Sequence, residues 1–271
     1  MKNNLITNYK RDGYIELKNV FTKADAHSFA ISIIHLINAQ KCKGFLIPKN
    51  IEKKSLSYLK SKINEGLILL ENKDHIFIKK VYDSIRNAPI IDNLTLKPKL
   101  IKTIKQLMNI NNTSPLYVTQ KACRIDIPNN ETFSLDWHQE APYTIKGTEL
   151  VQLWAPILED VKEINGALKV LHKSHSAGVV ETDDTIPDIG HAQYVPKQKY
   201  ISKFSEITVE MNYGNVLLFP KTLIHKSGKN ESDSPRLTLI AHYHNPLAKD
   251  FFKNFSNEVE PQAKNSYKNA S

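Results

Sequence analysis

Met211-Asn-Tyr-Gly-Asn-Val-Leu-Leu-Phe-Pro-Lys-Thr-Leu-Ile-His225, followed closely by Arg236-Leu-Thr-Leu-Ile-Ala-His-Tyr-His244, carries the strongest structural signal in the chain. In the first stretch Gly214-Asn215 reads as a hairpin turn, and the apolar run 216–219 reads as a core strand leading towards His225. The second stretch alternates. Arg236, Thr238, Ile240, His242 and His244 share one face of an extended strand, while Leu237, Leu239, Ala241 and Tyr243 take the other. An arginine buried on such a strand needs an anion.

Upstream of these segments the pattern stays extended back to Pro115, with strands expected at 116–126, 149–156, 167–171, 193–195 and 207–211. The first hundred residues read differently, as mainly helical. Thr22-Lys-Ala-Asp25 is a capping start, and Phe29, Ile33, Leu36 and Ile37 form a helical stripe that backs a sheet. Further helices are expected around 56–63, 75–87 and 97–108. Residues 41–74, with Gly44, Pro48 and many lysines, read as a loop leading into a helix, and residues 183–190 read as a loop over a site mouth. Segments 41–74 and 181–196 are therefore candidate lids. The fold class is mainly β with helical additions, a sandwich or jelly roll whose helices pack on one sheet. One domain covers 1–253, helical to about 112 and β over about 115–247, with a polar, frayed tail at 254–271.

Composition sets outer limits on function. A chain of 271 residues with 41% hydrophobic content can bury a sizeable core, and no window approaches the roughly 18 apolar residues that cross a bilayer. The opening residues lack an apolar signal core, so a cytoplasmic location is the default. Cys42 and Cys123 stand in no metal or redox spacing and read as free thiols. The formal charge of +9 raises nucleic-acid binding, but the lysines are scattered singly or in pairs such as Lys53-Lys54 and Lys79-Lys80, without interleaved aromatics. No nucleic-acid or membrane partner is expected, and the positive field suits anionic small molecules instead.

His138-Gln-Glu140 supplies candidate metal ligands. Ten histidines and 28 acids in 271 residues give about one His-x-acid by chance, so the tripeptide gains weight only from its context. In an extended segment residues i and i+2 point to the same side, roughly 6 to 7 Å apart, so His138 and Glu140 can converge on one ion. His225 adds a second imidazole and Arg236 an anion clamp. His242 and His244 share a strand face as a rival metal pair, though no acid follows them. His172 and His175 fall in a loop-like stretch.

Several segments in order resemble the phytanoyl-CoA dioxygenase family of iron(II)/2-oxoglutarate oxygenases. They are Tyr9-Lys-Arg-Asp-Gly-Tyr-Ile-Glu-Leu-Lys-Asn-Val-Phe21, Trp137-His-Gln-Glu-Ala-Pro-Tyr143, Leu150-Val-Gln-Leu-Trp154, Asn165-Gly-Ala-Leu-Lys-Val-Leu-His-Lys-Ser-His175 and the segment from Gly214 to Arg236. The resemblance implies a double-stranded β-helix, with His138, Glu140 and His225 as iron ligands and Arg236 as partner of the distal carboxylate of 2-oxoglutarate. It also places Trp154 in the cosubstrate pocket and Gln120 or Lys121 at a polar cosubstrate contact. Thr238, on the face of Arg236, could add a hydroxyl donor. Two departures stand out. Glu140 replaces the usual aspartate, one methylene longer but still a hard anionic ligand for ferrous iron. Its presence argues against a halogenase-like variant. Leu171-His-Lys-Ser-His175 replaces a common Pro-Gly-Ser-His, altering a loop near the mouth.

Three protein ligands would leave three positions on an octahedral ion for cosubstrate and dioxygen. The expected reaction is hydroxylation of an unactivated C–H in a small polar or anionic metabolite, with release of succinate and CO2. Two alternatives stay open. One is a non-redox metal enzyme such as a zinc hydrolase or sugar isomerase, although hydrolytic zinc sites usually come as His-Glu-x-x-His on a helix. The other is a catalytically silent binding protein that keeps the barrel.

Overall fold

The computed structural model describes residues 2–251 except 42, 132–133, 145–147, 186–192 and 250. The chain opens with helix α1 (Lys2–Asp12) and a short strand β1 (Ile15–Leu17), then runs through α2 (Lys23–Ala39), α3 (Leu56–Lys73), α4 (Ile76–Ile85), α5 (Pro89–Thr95) and α6 (Pro98–Leu107). Strands β2 (Tyr117–Asp126), β3 (Leu150–Pro156), β4 (Leu168–Leu171), β5 (Thr182–Thr185) and β6 (Gln193–Pro196) follow. After the one-turn helix α7 (Gln198–Ile201) come β7 (Glu206–Val209), β8 (Val216–Pro220), β9 (His225–Lys226) and β10 (Arg236–His244).

Local signals account for most of these ends. Thr22 and Asp25 exchange side-chain and backbone hydrogen bonds as a full capping box, satisfying amides that the first turn of α2 leaves unpaired. Proline opens both α5 and α6, where its missing N–H costs nothing. Phe29, Ile33 and Ile37 of α2 are fully buried, with Leu36 on the flank. Leu59, Ile63, Leu67 and Leu70 of α3 seal the same core, each contributing about 1.5–3 kcal/mol of burial. Helix α3 is thus part of the helical layer, and none of the described residues of 41–74 lines the cavity described below. The expected helix at 56–63 continues to Lys73 because its apolar stripe does.

The strands form a five-stranded sheet in the order β1-β8-β3-β10-β2, a three-stranded sheet β7-β4-β9, and a separate β5–β6 hairpin, with antiparallel pairing throughout. Two facing antiparallel sheets with helices behind the larger one make the expected double-stranded β-helix. The alternation at 236–244 holds. Leu237, Leu239, Ala241 and Tyr243 join the helical core with Val151, Leu153, Ala155, Val216 and Leu218. The Tyr243 hydroxyl donates to Thr95 O of α5 at 2.7 Å. From the opposite face Trp154, Leu217 and Phe219 meet Leu168, Val170 and Met211 between the sheets.

Two expected turns come out differently. Gly214-Asn215 does not close a hairpin, because β7 pairs with β4 while β8 pairs with β1 and β3. The turn instead carries the chain from the small sheet to the large one. Gly214 has φ +88°, its carbonyl accepts from Val20 and Phe21 N, and an added Cβ would lie 2.7 Å from Phe21 O. Glycine is therefore demanded by a crowded corner. The loop expected at 183–190 begins as a strand, Thr182–Thr185, paired with Gln193–Pro196. Residues 186–192, the tail at 254–271 and Cys42 lie outside the described residues. Cys123 is a buried free thiol, as expected. Among the described residues no helix is long and apolar enough to cross a membrane.

Candidate metal centre

His138 and His225 are fastened to each other through the backbone. His138 N donates to His225 O at 2.9 Å and His225 N to His138 O at 3.0 Å, which sets the two rings side by side with centroids 4.2 Å apart. Each Nδ1 lies against a backbone carbonyl, Asp136 O at 2.7 Å and Leu223 O at 3.0 Å. Donation from Nδ1 fixes the tautomer and leaves the lone pair on Nε2, the arrangement that metal-binding histidines use. Glu140 reaches the same place by a turn and not by a regular strand. Its backbone is helical (φ −76°, ψ −15°), and both Glu140 N and Ala141 N donate to Lys221 O. The donor atoms of His138, Glu140 and His225 all lie within 4.8 Å of one another, the one such group among the described residues.

Burial shapes the electrostatics. It lowers the His138 pKa to about 4 and that of His225 well below the ordinary imidazole value, so both rings are neutral and able to ligate. Burial also raises Glu140 to about 7, against the pull of a hydrogen bond from Gln152. A carboxylate that is costly to ionise alone, beside two neutral imidazoles, fits a divalent cation that supplies the missing charge. The ligand set suits ferrous iron. His242 and His244 form no second centre among the described residues. His244 Nε2 pairs with Thr119 Oγ1 at 3.0 Å, and His242 Nε2 lies 3.5 Å from Glu140 Oε1.

The cluster opens on a cavity of about 660 Å³ lined by aromatic Tyr82, Tyr143, Trp154, Tyr194 and Phe219, by polar Gln120, Gln152 and Ser227, and by Arg124 and Arg236. Arg236 is 2% exposed, and the anion its burial calls for is in the first instance internal. Its Nη2 lies 2.7 Å from Asp126 Oδ2, directly opposite in the β10–β2 register. Arg124, on the same face of β2 and opposite Thr238, reaches Asp126 Oδ1 at 3.5 Å. Burial alone would raise this carboxyl, but the two guanidinium groups outweigh it and hold Asp126 below the ordinary carboxylate range. Arg236 Nε and Thr238 Oγ1, on one strand face, are buried without a protein partner. Such orphaned groups are rare in folded proteins and suit a carboxylate ligand. An added Cβ at Gly166 would sit 2.7 Å from Arg236 Nη1, so glycine there leaves the guanidinium its room.

The remaining expected residues divide. Trp154 lines the cavity and is only 3% exposed, opposite Ile240 and Leu217 in the sheet, so it serves both wall and core. Gln120 lines the cavity from a β-bulge, with φ +50° where the β2–β10 register slips. Lys121 does not. It forms an ion pair with Asp92 of α5 and lies outside the cavity lining. His172 and His175 hold the end of α1, through Asp12 Oδ1 at 3.9 Å and Lys10 O at 3.0 Å.

Sequence reasoning missed several contributors. Arg124 and Gln152 line the cavity, and period two applied to β2 and β3 would have found them. Gln139, fully buried between His138 and Glu140, donates to Gly178 O and Thr222 O and accepts from Val180 N, anchoring the segment of the candidate ligands to two neighbouring loops. Tyr143 and Tyr194 meet edge to face at 5.3 Å, and Tyr194 N donates to Tyr143 Oη at 3.0 Å, tying the β5–β6 hairpin to the turn after Glu140.

Residues 9–238 match the family model described as phytanoyl-CoA dioxygenase (PhyH). A probable phytanoyl-CoA dioxygenase of Caenorhabditis elegans is 23% identical over 242 residues, covering 88% of this chain and 73% of the relative. Among solved structures, the epimerase SnoN, in complex with Fe3+, alpha ketoglutarate and nogalamycin RO, aligns with a TM-score of 0.60 at 16% identity over 90% of this chain and 83% of its own. EvdO2 from Micromonospora carbonacea var. aurantiaca aligns with a TM-score of 0.61 at 11% identity over 90% of this chain and 91% of its own. Those two likenesses show a shared fold, while the family match takes in every residue from His138 to Thr238. The chain belongs to the phytanoyl-CoA dioxygenase family, enzymes that use iron(II), 2-oxoglutarate and dioxygen.

Proposed function

We propose that this protein hydroxylates an unactivated C–H bond of a small polar metabolite, with His138, Glu140 and His225 holding ferrous iron and Arg236 and Thr238 holding the distal carboxylate of 2-oxoglutarate. The observation that carries the reading is the pairing of two features. A three-donor cluster opens on the cavity that Arg236 lines, and Arg236 Nε, with Thr238 Oγ1 on the same strand face, is buried without a protein partner. When bound, iron and cosubstrate supply the oxidising chemistry and release succinate and CO2. The chain supplies position and dryness. Trp154, Phe219, Leu168 and Ile240 wall the cavity with apolar surface, and the Tyr143–Tyr194 contact fastens its edge.

Charge favours a polar substrate over an anionic one. Glu140 and Asp126 offset Arg124 and Arg236, and the dication offsets the cosubstrate dianion. No surplus charge is left for an ionised substrate, whereas Gln120, Ser227 and the tyrosines offer neutral hydrogen bonds. A small molecule is the partner in this reading, with no role for nucleic acid or membrane. A reducing compartment such as the cytoplasm keeps the iron ferrous. A zinc hydrolase, sugar isomerase or silent barrel would leave Arg236 Nε and Thr238 Oγ1 without a task.

The test is an anaerobic titration of 2-oxoglutarate into iron(II)-loaded protein, followed by the visible metal-to-ligand charge-transfer band. A saturable band is expected. In Arg236→Ala iron should still bind while 2-oxoglutarate weakens by about 1.5–3 kcal/mol, roughly ten- to hundred-fold. No band, with zinc bound stoichiometrically in place of iron, would overturn the proposal.

A further inference from the structure

Glu140 reaches the cluster from a turn, and its carboxylate needs something other than its own backbone to settle which oxygen faces the ion. Gln152 of β3 and His242 of β10 are directly opposite each other in the sheet register, and both line the cavity. Gln152 donates a hydrogen bond to the Glu140 carboxylate, and His242 Nε2 stands 3.5 Å from Glu140 Oε1. At that distance the histidine is a close polar neighbour, looser than an optimal hydrogen bond.

Both residues are buried, at 5% and 2% exposure, with apolar Trp154, Phe219 and Ile240 as neighbours in the sheet register. Simple packing would be served better by leucine. Instead Gln152 Oε1 and His242 Nδ1 are left buried without partners, a cost the fold bears at both positions. The two polar side chains share one feature: each sets a nitrogen-bearing group beside the Glu140 carboxylate.

We infer that Gln152 and His242 form a cross-strand seat for the Glu140 carboxylate, positioning residues that present one of its oxygens to the metal. The inference rests on the assignment of His138, Glu140 and His225 as ligands. The seat is matched to the length of glutamate. Shortening the ligand by one methylene in Glu140→Asp draws the carboxylate back from both donors, so the seat should lose its purpose in that variant.

Cobalt(II) serves as the probe, since its visible spectrum and affinity report ligand geometry without turnover. Gln152→Leu and His242→Leu are each expected to weaken cobalt binding about ten- to hundred-fold and to alter the d–d bands, the usual scale for groups that orient a ligand. His242→Gln, which restores an N–H donor, should recover most of the affinity. In a Glu140→Asp background neither leucine variant should add a further loss. Circular dichroism and thermal melting of the metal-free proteins verify that each variant is folded, and an unfolded Gln152→Leu is replaced by Gln152→Met. Unchanged affinity and spectra in the folded single variants overturn the seat, as do losses that add in full to Glu140→Asp. The ligand assignment fails separately, if the parent's cobalt binding survives His138→Ala and His225→Ala.

Discussion

Removing the charge of Asp126 should destabilise the protein and strengthen its response to 2-oxoglutarate at the same time. Asp126 is 12% exposed in its side chain, Arg236 is 2% exposed, and the two meet at 2.7 Å. Unit charges about 4 Å apart attract by roughly 4 kcal/mol at an effective dielectric near 20, and breaking a buried pair usually costs about 3–5 kcal/mol. The side-chain amide introduced by Asp126→Asn keeps an acceptor oxygen, so a loss of about 3 kcal/mol is expected, or roughly 6–12 °C in melting temperature for a chain of this size. In the parent, cosubstrate at a hundred times its Kd adds about 2.7 kcal/mol. In the variant the cosubstrate carboxylate becomes the partner that Arg236 lacks, so the gain at equal concentration should be larger by about 1 kcal/mol or more. Denaturant unfolding with and without 2-oxoglutarate measures both quantities. A destabilisation under about 0.5 kcal/mol, or an equal gain in both proteins, would refute the reasoning. Acid adds a further check. The Asp126 carboxyl is held below its ordinary value, so its contribution is complete above about pH 4 and disappears as pH falls through the lowered folded-state value, a phase that Asp126→Asn should lack.

Two other substitutions probe the frame around the site. Gln139→Ala strips partners from Gly178 O, Thr222 O and Val180 N, so denaturant unfolding should show a loss of about 2–4 kcal/mol, with weaker cobalt binding as the ligand segment loosens. A stable variant with parental cobalt affinity would remove Gln139 from this role. Gly166→Ala adds a Cβ 2.7 Å from Arg236 Nη1 at a backbone φ of +86°. Cosubstrate affinity should fall about tenfold while metal affinity stays within about twofold, and parallel losses in the two titrations would contradict it.

Much of this architecture can be read from local pattern. The capping box of α2 is legible because both partners lie within one turn, and the two faces of β10 are legible because backbone pleating sets the period. His138, Glu140 and His225 converge as expected, although Glu140 arrives through a helical turn and not along a regular strand. Other features resisted. A Gly-Asn pair signals a reversal without saying which strands it joins, so the corner at Gly214 looked like a hairpin. Gln120 and Lys121 were indistinguishable until a bulge turned one towards the cavity and left the other with Asp92.

The division has a physical basis. Strand and helix type, the core faces and the ligand chemistry follow from residue identity and backbone geometry over a few positions, and these were available from the chain alone. Register, sheet order and the choice of partners for buried charge depend on pairings between distant segments. Asp126 meets Arg236, and Gln152 meets His242, because β10 lies between β2 and β3 in one particular alignment. Sliding a strand by one residue would reverse every face, and the cost of burying unpaired polar groups selects a single alignment from the whole fold.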